Sequence, residues 1–141
     1  MNYPANFIRG IPNENTMEED YPKADLFKNF EVNPNRSDDY KELSINWADD
    51  KGALKIIFNQ KKGDTEELQF KVGGAVIATE DLEALRKKPQ ICDKFKYERN
   101  PLPDNTYHGN LLLRISASKP IRDMIASNLA LCATKVEKRG E

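Results

Sequence analysis

The chain contains one histidine, His108, the side chain best suited to moving a proton near neutral pH. It lies in Asp104-Asn105-Thr106-Tyr107-His108-Gly109-Asn110, just after a turn and at the start of an alternating stretch. A histidine so placed can act as a general base, its ring oriented by Asp104 or by an asparagine. The same position suits an imidazole that pins the turn by bonding a backbone carbonyl. A single histidine is not a triad, and no serine or cysteine motif marks a nucleophile. Cys92 and Cys132 stand in no CxxC pair and near no histidine cluster, so both read as reduced thiols. Gly73-Gly74 lacks the spacing of a phosphate-binding loop and reads instead as a bulge or a close backbone approach. Neither a metal nor a cofactor is expected.

Cations recur as Lys61/Lys62, Arg86-Lys87-Lys88, Lys94/Lys96/Arg99 and Lys135/Lys138/Arg139, with Phe95 and Tyr97 interleaved in the third group. A basic face with aromatic side chains could bind nucleic acid. However, the isoelectric point is near 5.9. Most of these lysines also end helices, where the macrodipole alone favours them. Nucleic acid is therefore not the favoured partner. Charge is divided along the chain: residues 1–50 carry 5 Lys/Arg against 11 Asp/Glu, and residues 51–141 carry 17 against 12. The two parts can attract each other, or the split can steer a charged partner to one face.

The elements that must position His108 are legible in outline. Asn100 to Asn105 is a turn rich in proline and asparagine, and Tyr107 to Ile115 alternates as a strand with Tyr107, Gly109, Leu111, Leu113 and Ile115 on one face. Leu43-Ser44-Ile45-Asn46-Trp47 reads as a second strand, and Leu68 to Ala78 as a third. Asp49 and Asp50 can cap a helix bearing Leu54, Ile57 and Phe58, which would stop at Gly63. Thr79 reads as the cap of a short helix closed by Pro89, and Ile91, Phe95 and Tyr97 as another strand. Ser118 and Pro120 open a last helix whose apolar face runs from Ile121 through Leu129 and Cys132 to Val136.

Residues 1–42 are rich in proline and acids yet keep apolar anchors. They read as an irregular arm wrapped on the core, with a helical turn near Ala24 to Phe30. The chain is thus expected to be one α+β domain: an arm (1–42), a core (43–137) built on a small, mainly antiparallel sheet with about three helices, and a frayed tail (138–141). The opening MNYPANFIRG lacks the apolar stretch of a signal peptide, and no apolar run reaches membrane-spanning length. A cytoplasmic location without membrane contact is the expectation.

Several strings together resemble a family of small uncharacterised bacterial proteins. That family opens with Arg-x-Ile-Pro, continues through a Ser-x-x-Phe element and Leu-Ser-Val, and ends with Pro-Leu-Pro-x-Asn-Pro-x-His-Ala before a strand and a helix. The matching pieces are Arg9-Gly10-Ile11-Pro12, Ala24-Asp25-Leu26-Phe27, Leu43-Ser44-Ile45 and Pro101-Leu102-Pro103-Asp104-Asn105-Thr106-Tyr107-His108-Gly109. The chain departs from the pattern in three places: no serine precedes Leu26-Phe27, Thr106 replaces the proline and Gly109 replaces the alanine. The resemblance implies no activity, but it places Arg9 and His108 in one constellation and is associated with bacterial defence operons. The first functional expectation is a non-enzymatic module that docks to a larger protein. The second is a small hydrolase or nuclease using His108 with Arg9, Asp104 or Asn110. An enzyme requires His108 in a concave pocket, whereas a docking module requires an exposed apolar patch.

Overall fold

The computed structural model describes residues 2–140; Met1, at the start of the expected arm, and Glu141, at the end of the expected tail, lie outside the described residues. The fold is α+β, with three helices and a six-stranded, wholly antiparallel sheet. In chain order the strands are β1 (Asn6–Ile11), β2 (Met17–Glu18), β3 (Tyr21–Pro22), β4 (Tyr40–Trp47), β5 (Gly73–Ala78), β6 (Phe95–Arg99), β7 (His108–Arg114) and β8 (Lys135–Lys138). The helices are α1 (Gly52–Asn59), α2 (Thr79–Arg86) and α3 (Lys119–Cys132). The large sheet runs β6-β7-β4-β1-β5-β8, and β2 and β3 pair apart from it.

Strand alternation sorts the two faces. Phe7 and Ile11 of β1, Leu43, Ile45 and Trp47 of β4, Leu111 and Leu113 of β7, and Phe95 of β6 join one buried core. Leu82 and Leu85 of α2, Ile125, Ala126 and Leu129 of α3, and Leu26 and Phe27 of a 3-10 turn complete it. On the other face a smaller cluster of Ile8, Ala53 and Ile57 seats α1 over β1 and β5. Glycine permits that approach: a Cβ on Gly74 would stand 2.5 Å from Ile8 Cγ2. Beyond α1 this face carries Glu42, Ser44, Asn46, His108, Asn110 and Glu98, and it is here that a cleft opens.

Several boundaries differ from the sequence reading. The expected irregular arm contributes β1, an interior strand paired with β4 and β5. Its prolines, Pro4 and Pro12, sit just outside the strand, where they cost no ladder bond. The rest of the segment does wrap the core through Met17, Leu26 and Phe27. The third strand begins only at Gly73, because Leu68 bridges back to Lys61. Thr79 is the first residue of α2 rather than its cap, and its hydroxyl is buried without a partner. Tyr107 precedes β7 and packs with the α1 cluster, not with Leu111.

The last helix stops at Cys132, and Lys135–Lys138 turns back as an edge strand on β5. The expected frayed tail is partly anchored: Arg139 Nη2 donates to Phe70 O at 2.6 Å, and its backbone N–H donates to Val72 O. Two residues, Ala133 and Thr134, separate α3 from β8 and leave little room for a loop, and the lysines of β8 protect an otherwise open edge.

Candidate active site

β1 and β4 pair only at Phe7–Trp47 and Ile8–Asn46, and then part. Farther along β4, Glu42 pairs instead with Glu31 of the incoming chain. Ser44 therefore has no backbone partner on this side, since β1 has already left the ladder and Glu31 has not yet joined it. Trp47 N–H donates toward β7 and Glu42 N–H toward Glu31, so the backbone groups of Ser44 turn into the gap. Arg9 fills it: Nη1 donates to Ser44 O at 2.9 Å and Nε to Leu26 O at 3.3 Å. Burial without a carboxylate in ion-pair contact lowers the guanidinium's pKa to about 10, and the field of Glu31 partly offsets this.

The side chain of Ser44 points to the other face of β4 from Leu43 and Ile45, and is exposed. The register sets Ser44 opposite Asn110 and Asn46 opposite His108. From its diagonal position the His108 ring brings Nε2 within 3.2 Å of Ser44 Oγ, while Nδ1 lies 2.9 Å from Asn100 O. A carbonyl can only accept, so Nδ1 carries the proton and Nε2 offers a lone pair to the serine hydroxyl. The turn that supplies Asn100 is itself tied down. Asn105 Nδ2 donates to Asn46 Oδ1 at 2.8 Å, and Asn46 Nδ2 donates to Ala53 O at 3.0 Å, a buried relay joining turn, β4 and α1.

These groups line a cleft of about 870 Å³ bounded by α1, the 61–70 segment, β4 and the 100–107 turn. Arg9, Ser44, His108 and Asp104 all face it. Asp104 is exposed and does not orient the ring; that work falls to Asn100 O. Asn110 lies away from the cleft, where it is buried and donates to Glu98 Oε2 at 2.9 Å. Arg9 and His108 do not touch each other. They meet through Ser44, one at its carbonyl and one at its hydroxyl.

Ser44 went unrecognised because neither its position nor its neighbours mark a nucleophile motif. The available signal was its place inside Leu43-Ser44-Ile45, on the polar side of an alternating strand.

Other candidate chemistry is dispersed. Cys92 is exposed, Cys132 half-buried, and both are free; burial pushes the Cys132 thiol up. Among the described residues no three His, Cys, Asp or Glu side chains gather as metal ligands would, and no helix is long and apolar enough to cross a membrane. Several of the basic groups are already engaged. Arg86 pairs with Glu83, Arg99 with Asp49, Lys138 with Asp20 and Lys61 with Glu66, and Arg139 is spent on backbone carbonyls. In comparisons with known proteins, no family model, curated protein or solved structure matches this chain.

Proposed function

We propose that this chain is a small hydrolase in which Ser44 is the nucleophile and His108 the general base. The observation that carries the reading is the 3.2 Å approach of His108 Nε2 to Ser44 Oγ at the wall of a cleft, with the ring's tautomer set by Asn100 O. In acyl transfer, Ser44 Oγ bonds to the substrate carbonyl carbon as its proton passes to Nε2. The tetrahedral intermediate collapses by expelling an alcohol or amine, which takes that proton. Water then attacks the acyl-serine, with His108 again accepting the proton, and acid and free Ser44 are released. The Ser44 N–H, turned into the gap beside Arg9, is a donor near the developing oxyanion. A backbone carbonyl stabilises the imidazolium less than a buried carboxylate does, so slow turnover is the expectation.

The docking reading would draw on exposed apolar side chains. Tyr21, Val32, Leu102, Ile115 and Leu131 are exposed, but they belong to separate segments, and Leu102 lines the cleft itself. That distribution favours the cleft over a flat apolar face.

A fluorophosphonate probe tests the assignment, because it phosphonylates an activated serine with loss of fluoride. Mass spectrometry should find one adduct, on Ser44 and absent from Ser44→Ala. His108→Gln should slow labelling by about a hundredfold, the scale of general-base catalysis. Labelling that spares Ser44, or that His108→Gln leaves undiminished, would sink the proposal.

A further inference from the structure

We infer that the substrate carries a compact oxyanion group, a carboxylate or phosphate, which seats against Arg9 in the gap between β1 and β4. The inference deepens the hydrolase reading and rests on the same cleft being the working site.

The argument begins with what Arg9 lacks. A guanidinium has five N–H donors. Two are used, on Leu26 O and Ser44 O, both neutral carbonyls. The other arginines with resolved charge partners hold carboxylates: Arg36 holds Asp38, Glu42 and Glu98, Arg86 holds Glu83, Arg99 holds Asp49 and Arg114 holds Asp39. Arg9, Arg122 and Arg139 are in none of the ion pairs among the described residues and donate to backbone carbonyls, and of these three Arg9 is the one whose charge burial disfavours. A partly buried cation without a counter-ion is costly, and here it lines an open cleft. An incoming oxyanion would supply the missing charge and accept the remaining donors in a planar, two-pronged contact.

The surroundings fit. Lys55 lines the same cleft and is in none of those ion pairs, whereas Lys61 is already bound to Glu66. Of the acids at the cleft, Glu42 is drawn to Arg36, which it shares with Asp38 and Glu98. Glu31 is exposed and acts on Arg9 only through its field, and Asp104 is exposed at the turn. Asn29 and Asn59, also at the cleft, could bond the uncharged remainder of the ligand. Because Arg9 holds the carbonyl of Ser44 itself, an anion there stands within one residue of the nucleophile.

The test separates binding from chemistry. Inorganic phosphate, succinate and the neutral succinamide are titrated into the full chain and into Ser44→Ala, with the guanidinium resonances of Arg9 followed by NMR. One or both anions should bind saturably to both proteins and shift the Arg9 signals, while succinamide should not. Phosphate against succinate distinguishes the two oxyanion classes. Arg9→Gln should weaken anion binding by at least about tenfold, the scale of one charge-assisted contact. The wild-type NMR titration stands even if that variant does not fold. Saturation with the Arg9 signals unmoved, equal binding of succinamide, or no saturable binding of either anion would overturn the inference. Anion binding at Arg9 with an unlabelled Ser44 would instead retain the anion site and remove the hydrolase reading.

Discussion

Gly109 has no side chain, and the indole of Trp47 occupies the place where one would project. A Cβ there would run into Trp47 Nε1 and Glu98 O, the two atoms of a 3.0 Å hydrogen bond that ties β4 to β6 across β7. The neighbouring position is His108, so the packing that demands glycine also fixes where the imidazole leaves the sheet. Gly109→Ala should destabilise the fold by about 1–3 kcal/mol, as overpacking in a closed core does. It should also slow Ser44 labelling by shifting His108. Urea unfolding checks the first effect, and an unchanged midpoint would mean that Trp47 can move aside without loss.

At the scale of elements, α3 is the main support of the closed face. Leu129, 1% exposed, lies in the core with Ile125, Ala126 and the inward side chains of β1 and β5. Leu129→Asp should abolish soluble expression, because it buries an unpaired carboxylate. A soluble variant with an unchanged melting temperature would refute that placement. The apolar spacing of α3 was readable, as were β4, α1, α2 and most of β7, because each has a period and flanking caps or turn residues. The role of β1 was hidden because Asn6–Ile11 is short and lies between prolines, so its sequence reads as well as an arm. β8 was hidden because Val136 continues the helical spacing of α3, and only the fold shows that the chain reverses at Ala133. The site fell between these cases. His108 and Arg9 could be named from the sequence, but Ser44 could not. The contact depends on the register of β4 against β7 and on the parting of β1 from β4, and no local pattern records either.

At the scale of the whole molecule, the division of charge along the sequence resolves into attraction between the two parts. Arg99 reaches Asp49, Arg114 reaches Asp39 and Lys138 reaches Asp20, each joining the acidic first third to the basic remainder, and Arg36 reaches Glu98 between the same parts with the signs reversed. The Lys138–Asp20 pair is exposed and should contribute little, and less still in salt. Arg36 differs because it is 15% exposed and sits between Glu42 at 2.7 Å and Glu98 at 2.8 Å, with Asp38 at its Nε. Hydrogen bonding to Arg36 holds the carboxyl of Glu98 below its usual range, against the opposing pull of burial. A carboxylate with a depressed folded pKa stabilises the fold above its unfolded value, about 4.3 for Glu, and that contribution fades as pH falls through the folded value. Arg36→Met should therefore cost about 2 kcal/mol at neutral pH, between the values of exposed and fully buried pairs. The cost should shrink as pH drops below the ordinary carboxylate range, where Glu98 in the variant takes up a proton and no longer opposes its neighbours. Urea unfolding of both proteins from neutral pH to about pH 3 measures this as a converging pair of curves. Curves that stay parallel would mean that Arg36 acts through packing alone, and that the charge division does not hold the arm to the sheet.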